Sequence, residues 1–288
     1  KKEYEESILE SLKWLDIKYD EIYHQSKNVE KHEEYLKKMI EDGFAYISKE
    51  EAKDGSGVIK EIVRFKNPNI SITFKDEIKG SVTIDTTDLG DFVIAKNIKE
   101  PLFHVAVVID DFEEGVTHVI RGEDHTSNTP RQILIQRAIG APTPTYAHIP
   151  LILGPDRLKL SKRRGALPVL SYRDRGFLPE AILNGGAFAG WNPGTEQEIF
   201  SRDELISAFD LTKVQKSPAI FNEEKLLWFN KEHIKRLSFE EQEKGVLEFL
   251  PHEIKKLPQF SNKKMNLIIP LIIEKIECFN DVREMSER

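Results

Sequence analysis

Cysteine is nearly missing from this chain, since Cys278 is the only one among 288 residues. That excludes an intramolecular disulfide and any metal site built from several thiolates, and it fits a reducing, cytoplasmic setting. Long apolar runs are missing as well. Spanning a bilayer as a helix takes roughly 20 apolar residues in succession, whereas the run from Ile268 to Ile273 is short and contains Pro270. Nor is there a surplus of positive charge: 42 Lys and Arg stand against 49 Asp and Glu, a formal net charge of −7. Proteins that hold nucleic acid over a broad face are generally basic. Any such contact here is therefore local, with net acidity suppressing nonspecific binding to other polyanions. There is no internal repeat and no low-complexity tract. The opening Lys1-Lys2-Glu3-Tyr4-Glu5-Glu6 is acidic and helical in character, unlike a secretory signal. The length suffices for two or three modules, domains usually holding roughly 100–150 residues.

What is present alternates between two periods. Tyr4, Ile8, Leu9, Leu12 and Leu15 fall at helical spacing, as do Tyr35, Leu36, Met39 and Ile40, with Gly43 as a stop. Between them, Ile17 to Tyr23 reads as a short strand or extended link. From Phe44 onward the pattern becomes strand-like, at Ile62–Phe65, Ile70–Phe74, Val82–Ile84 and Phe92–Ala95, separated by turn-forming residues. Leu102–Ile109 and Val116–Ile120 are apolar enough to predict buried parallel strands. Thr129 is the expected N-cap of a helix with Pro130 at its first position and Gly140 at its end. A strand from His148 to Leu153 completes a βαβ unit. Beyond Gly165 the pattern is helical, through Leu178–Phe188, Arg202–Phe209, Glu223–Phe229 and further amphipathic segments.

The last strand of that unit runs straight into a cationic loop, Gly154-Pro155-Asp156-Arg157-Leu158-Lys159-Leu160-Ser161-Lys162-Arg163-Arg164-Gly165. Lysine is a mobile point charge suited to a leaving group whose charge grows during reaction, and Ser161 adds a hydroxyl donor. A polyphosphate site is one reading of Lys159 and Lys162. The other is a solvated basic surface loop, and the charges alone do not separate them.

Residue order does. Lys159-Leu160-Ser161-Lys162-Arg163 resembles the KMSKS signature of class I aminoacyl-tRNA synthetases, with Arg163 in place of the usual final Ser. Upstream stand Asp110-Asp111, Thr117-His118-Val119-Ile120-Arg121-Gly122-Glu123-Asp124-His125, Ser127-Asn128-Thr129-Pro130-Arg131-Gln132 and Ala147-His148-Ile149-Pro150-Leu151. Downstream follow Gly176-Phe177-Leu178-Pro179-Glu180-Ala181, Gly190-Trp191, Glu198-Ile199-Phe200 and Lys216-Ser217-Pro218-Ala219. In this order they resemble bacterial-type glutamyl-tRNA synthetase over nearly the whole chain, most strongly from about Phe92 to Ile234.

The resemblance implies an α/β fold: a partial Rossmann-like class I catalytic domain with an inserted mostly β subdomain, followed by helical stem-contact and partial anticodon-binding regions. The implied division is 1–43 as part of the first Rossmann half, 44–100 as the inserted acceptor-end subdomain, 101–165 as the second half with the KMSKS-like loop, 166–236 as the stem-contact region and 237–288 as the start of the anticodon-binding region. The implied activity is ATP-dependent ligation of glutamate to tRNA through glutamyl-adenylate. A noncatalytic tRNA-binding module derived from such an enzyme is the alternative. Lys159 and Lys162 are the implied catalytic pair, and Asp124, His125, Leu160, Ser161 and Lys162 the implied ATP contacts. Phe103 and Arg121 are assigned to glutamate, with Phe103 and His104 standing where members often carry Tyr followed by Asn or His. Without the resemblance, an ion pair of Arg121 with Glu123 or Asp124 is the simpler reading, Asp110-Asp111 reads as a turn after a strand, and His118, His125 and His148 read as solvated or hydrogen-bonded.

ATP with Mg2+ is the expected nucleotide, and no protein-bound zinc is expected, because the inserted segment has no cysteine. The expected partners are glutamate and the glutamate tRNA, with the glutamine tRNA as an extension, and no membrane; the expected state is a monomer. The Pro-Ser-Pro-Thr-Gly segment and the HIGH motif of the family do not occur in the sequence. The chain is accordingly expected to be an internal portion with half of the active site, inactive alone.

Overall fold

The computed structural model describes residues 2–51, 57–160, 167–258 and 260–286. In chain order the elements are α1 (Lys2–Trp14), α2 (Val29–Glu41), β1 (Ala45–Glu51), β2 (Ile59–Phe65), β3 (Ser71–Asp76), β4 (Gly80–Asp85), β5 (Phe92–Asn97), β6 (Glu100–Pro101), α3 (Phe103–Glu113), β7 (His118–Gly122), α4 (Thr129–Ile139), β8 (Thr145–Ile149) and β9 (Ile152–Leu153). They continue as α5 (Val169–Asp174), α6 (Pro179–Phe188), α7 (Arg202–Ala208), β10 (Ala219–Ile220), α8 (Glu223–Arg236), α9 (Phe239–Phe249), α10 (His252–Lys255), α11 (Asn262–Ile273) and α12 (Asp281–Ser286). The chain divides into two compact units, residues 21–149 and residues 1–20 with 150–288. None of the described helices is long and apolar enough to cross a membrane.

In the 21–149 unit, four strands stand in the order β4-β3-β8-β7, with β3, β8 and β7 parallel and β4 antiparallel to β3. A second sheet, β1-β2-β5-β6, is antiparallel throughout. The hairpin of residues 71–85 thus extends the sheet that holds β7 and β8. In α2, the buried His32, Leu36 and Met39 recur at helical spacing, and Leu36 and Met39 pack with Val105, Ile109, Ile133, Ile135 and Ile94 in one core.

Four expectations are corrected here. Residues 102–109 are not a strand: Phe103–Glu113 is helical, and Val105, Ala106, Val108 and Ile109 are its buried face. A short Val/Ile-rich run fits a buried strand and a buried helix equally by period, and the neighbouring elements decide. Consequently Asp110 is no turn residue. It lies buried inside α3, where its carboxylate accepts from Gln25 Nε2 at 2.8 Å, Asn28 Nδ2 at 2.9 Å and Tyr23 Oη at 3.5 Å, and stands 2.7 Å from His32 Nε2. That carboxylate fixes the extended link before α2. Next, the strand beginning near His148 stops at Ile149, Pro150 having no N–H to donate; Ile152 and Leu153 pair instead with Ala219 and Ile220 of β10. Finally, Asn128, not Thr129, occupies the N-cap position of α4, without a side-chain capping bond, while the Thr129 hydroxyl accepts from Arg121 Nη2. Gly140 caps the other end at φ +74°, as expected.

The other unit is helical. The expected helices appear as α6, α7 and α8, the last extending to Arg236. Ser201 with Glu204 and Ser238 with Glu241 form capping boxes, so α7 and α9 begin where side chains satisfy their first N–H groups. Ile234, Val246, Ile269, Ile273, Ile276 and Phe279 form a continuous core. Gly245 sits in mid-helix facing that core, where an added Cβ would overlap the Phe279 ring. Helix propensity alone favours Ala over Gly by roughly 1 kcal/mol. We expect Gly245→Ala to destabilise the unit nonetheless, by about 1–3 kcal/mol in urea unfolding, as overpacking does; a stabilised variant would show that the Phe279 ring moves aside freely.

Asn184, fully buried in α6, accepts from the N–H of Phe200 at 2.9 Å, donates to the Glu198 carbonyl at 3.0 Å and lies 3.1 Å from His233 Nε2. Burial, reinforced by Arg236, pushes the His233 imidazole down to about 4. Its unfolded value is about 6.5, so between these values the unfolded chain binds a proton that the folded chain refuses. Stability present above pH 6.5 is therefore lost as pH falls towards 4, by up to about 3 kcal/mol. Urea unfolding of His233→Gln across that interval should show a flatter profile than the parent.

Candidate active site

The parallel strands β3, β8 and β7 lie side by side, and each carries a polar residue at or next to its carboxyl end: Asp76 is the last of β3, while His148 and Arg121 are next to last in β8 and β7. Arg121 and His148 are register partners. The carboxyl ends of parallel strands are where open α/β sheets bind ligands. Asp76 Oδ1 accepts the N–H groups of Ile78 at 3.0 Å and Lys79 at 2.8 Å, and Oδ2 meets His148 Nδ1 at 2.6 Å. His148 Nε2 stands 3.2 Å from both Arg121 Nε and Thr129 Oγ1. Arg121 Nη2 donates to Thr129 Oγ1 at 2.9 Å and to the His125 carbonyl at 3.5 Å, and the guanidinium lies 5.4 Å from the Tyr146 ring centre.

The charges follow from this packing. Burial alone would raise the Asp76 carboxyl, but the N–H of Lys79, the His148 ring and two further N–H groups outweigh it and hold the pKa below the usual range. Burial pushes His148 down, against the pull of Asp76 and with Arg121 adding to the effect. Burial also lowers Arg121, opposed by Tyr146, Asp111 and Asp124. The expected ion pair of Arg121 with Glu123 or Asp124 is not what its hydrogen bonds form: they go to neutral groups, and Glu123 Oε2 accepts from Lys79 at 2.5 Å. Among the described residues, nothing accepts from Arg121 Nη1.

Phe103, half exposed at the start of α3, has its ring centre 5.5 Å from that of His104 and 6.0 Å from that of His125, the residue whose carbonyl accepts from Arg121. His125 Nδ1 is 3.0 Å from Asn128 Nδ2. His104 Nδ1 is buried without a partner among the described residues, and burial, with Arg131 and Arg121 nearby, keeps that ring below its ordinary pKa. An unmatched buried nitrogen and an unfilled guanidinium edge in one cluster suit a polar, anionic ligand. Phe103, Arg121 and His125 are thus brought together, with Asp124 exposed in the turn that follows β7.

Lys159 and Leu160 belong to the other unit. They close a turn in which Gly154 N donates to Leu158 O at 2.8 Å and Leu160 N to Ile152 O at 3.1 Å, with Arg157 at φ +60°. Ser161 and Lys162 lie outside the described residues. In the same unit an apolar cavity of about 370 Å³ is lined by Tyr172, Gly185, Phe188, Phe221 and Phe229. Its Lys225 is held by both oxygens of Glu198 at 2.8 Å, so the cavity offers packing more than chemistry. Among the described residues, no group of three or more His, Cys, Asp or Glu is arranged to hold a metal ion.

Sequence reasoning missed Asp76 and gave His148 and Thr129 only general roles. The signal for Asp76 is an acidic residue closing the apolar alternation of Ile72 and Phe74, ahead of the Lys79-Gly80 turn. Its side chain reads as turn chemistry, and indeed caps that turn, but the same carboxylate also reaches β8.

A sequence profile of the family described as tRNA synthetases class I (E and Q), catalytic domain, matches residues 1–55 and 47–228. The chain belongs to this class I synthetase family. Among curated relatives in it, a glutamate–tRNA ligase of Aquifex aeolicus is 46% identical over 271 residues, covering 82% of this chain and 57% of the relative. A glutamate–tRNA ligase of Lawsonia intracellularis is 40% identical, covering 98% of this chain and 66% of the relative. The chain therefore spans about three fifths of the length of these relatives. The crystal structure of a glutamate tRNA ligase from Elizabethkingia meningosepticum, in complex with its amino acid, superposes with a TM-score of 0.88 at 29% identity, over 98% of this chain and 69% of that one. The synthetase profile ends within α8, and these matches extend the likeness through most of the remaining helices.

Proposed function

We propose that this chain is a portion of a glutamate–tRNA ligase, a cytoplasmic enzyme that joins glutamate to its tRNA at the expense of ATP. The glutamate carboxylate attacks the α-phosphate of ATP, pyrophosphate leaves, and the acyl group passes to the terminal ribose of the tRNA. Phosphoryl transfer of this kind rests on positioning and charge stabilisation. Arg121 and Phe103 hold glutamate, Asp124, His125, Leu160, Ser161 and Lys162 contact ATP, and Lys162 with Lys159 stabilises the phosphates as pyrophosphate departs. Mg2+ enters with ATP as part of the substrate. Phe103 has no phenolic hydroxyl, so its contribution to glutamate binding is a ring wall. Residues 44–100 receive the acceptor end, 166–236 contact the stem and 237–288 begin the anticodon-binding region. The named relatives are ligases, which disfavours the noncatalytic module.

The observation that carries this reading is the half-buried Arg121, bonded only to neutral groups and with Nη1 unfilled, at the carboxyl end of a parallel strand. Arg121→Lys, made in a complete synthetase containing this chain, should raise the KM for glutamate about 10- to 100-fold with little change in that for ATP, since a point charge cannot reproduce a planar fork. Unchanged glutamate kinetics with a lower melting temperature would assign Arg121 to structure alone.

A further inference from the structure

Asp76, His148 and Arg121 form a chain of hydrogen bonds whose direction is set by the groups available. An ionised carboxylate only accepts, so the 2.6 Å contact puts a proton on His148 Nδ1. His148 Nε2 then presents a lone pair to Arg121 Nε, which only donates, at 3.2 Å. An imidazole carrying its proton on Nε2, or on both nitrogens, would set N–H against N–H. Thr129 Oγ1 holds Nη2 from the other side at 2.9 Å. The side chains of Asp76 and His148 have no exposed surface, so neither reaches a substrate. We infer that Asp76 and His148 are positioning residues which, through the tautomer of His148, fix the plane of the Arg121 guanidinium and aim its Nη1 edge at the carboxylate of the amino-acid substrate. This rests on the reading of Arg121 as the glutamate site.

The device has a built-in acid limit. The groups facing the imidazole are Asp76 on β3, Arg121 on β7, His125 in the turn after β7, Thr129 on α4 and Tyr146 on its own strand. Of the charges, only Asp76 favours protonation, while Arg121, His125 and burial oppose it. His148 therefore takes up a second proton less readily than an ordinary imidazole. That proton, once bound, breaks the link to Arg121.

The test uses Asp76→Asn, which keeps the shape and an acceptor for the turn but whose amide group donates to Nδ1 and moves the imidazole proton to Nε2. Nitrogen-15 spectra of the imidazoles in the 288-residue chain should show His148 neutral with the proton on Nδ1, and on Nε2 in the variant. In a complete synthetase containing this chain, the variant's KM for glutamate should rise about 10- to 100-fold, the size that outer-shell partners of histidine exert at metal sites. The KM for ATP should hold within about twofold. His148→Gln, whose amide both donates to Asp76 and accepts from Arg121, should retain most of the glutamate affinity that His148→Leu loses. A proton moved to Nε2 with glutamate KM unchanged overturns the inference, as does a raised KM with the proton still on Nδ1. Arg121→Lys leaving glutamate KM unaltered would instead sink the underlying reading, whatever the tautomer shows.

Discussion

Lys162→Ala, in a complete synthetase containing this chain, is expected to lower the rate of glutamate-dependent pyrophosphate exchange by about 100- to 1000-fold while the affinity for ATP changes little. The size is that of removing one donor aimed at charge which develops only in the transition state, roughly 3–4 kcal/mol. The asymmetry follows from the same cause. In ground-state ATP the phosphate charge is shared with Mg2+ and solvent, whereas the departing pyrophosphate gains charge at the moment of bond breaking, and a lysine that meets it then acts on kcat. Lys162→Arg should recover only part of the rate, because a planar fork cannot follow a moving leaving group as a flexible ammonium does. Near-normal exchange in Lys162→Ala, or a loss confined to the KM for ATP, would remove Lys162 from the chemistry and return this stretch to an ordinary basic surface loop.

The second large effect concerns stability. Asp76→Ala should cost the 21–149 unit about 3–5 kcal/mol, since each buried donor left without its acceptor costs roughly 1–3 kcal/mol. Asp76 serves the Ile78 and Lys79 N–H groups, the His148 N–H and the His148 ring at once. Alanine leaves all of these without an acceptor, in a site where the Asp76 and His148 side chains expose no surface. Native-state amide exchange of β8 and β3 reads the loss directly, since the two strands are joined at the Asp76–Tyr146 register. A cost under about 1 kcal/mol would mean that water enters and takes the carboxylate's place. Asp76→Asn should fall well short of the alanine penalty, which is why it serves as the probe of tautomer and affinity.

How much of this is legible in the sequence depends on how far each interaction reaches. Helices α1, α2, α4, α6, α7 and α8 announce themselves, because their apolar residues repeat at the helical period and their ends carry Gly or capping side chains within a few residues. Lys159, Lys162 and Arg121 stand out through ordered motifs more than through periodicity, and the chemistry assigned to them is a proposal. Residues 102–109 read as a strand because five apolar positions in a row, Val105 to Ile109, erase the period, leaving tertiary surroundings to choose between helix and strand. Asp76 was missed because its local role, capping the turn at Ile78 and Lys79, fully explains an Asp at that place; its partner His148 is 72 residues away. Asp110 failed for a like reason, its donors lying between positions 23 and 32. Local chemistry accounts for such residues well enough to hide a second role.

The Asp110 carboxylate also bears on the time course of folding. The link it secures has little regular structure of its own, only a short 3-10 turn at Gln25–Lys27, and the bonds that hold it span 78 to 87 residues of sequence. Contacts of such separation wait on the closure of a long loop, and here also on α3, whose helical turn presents the acceptor. The clasp is therefore expected to close only once α3 has formed. Interactions absent from the folding transition state act on the rate of unfolding and leave the rate of folding nearly unchanged. Asp110 is in that sense a latch, governing how long the finished unit lasts more than how quickly it is made.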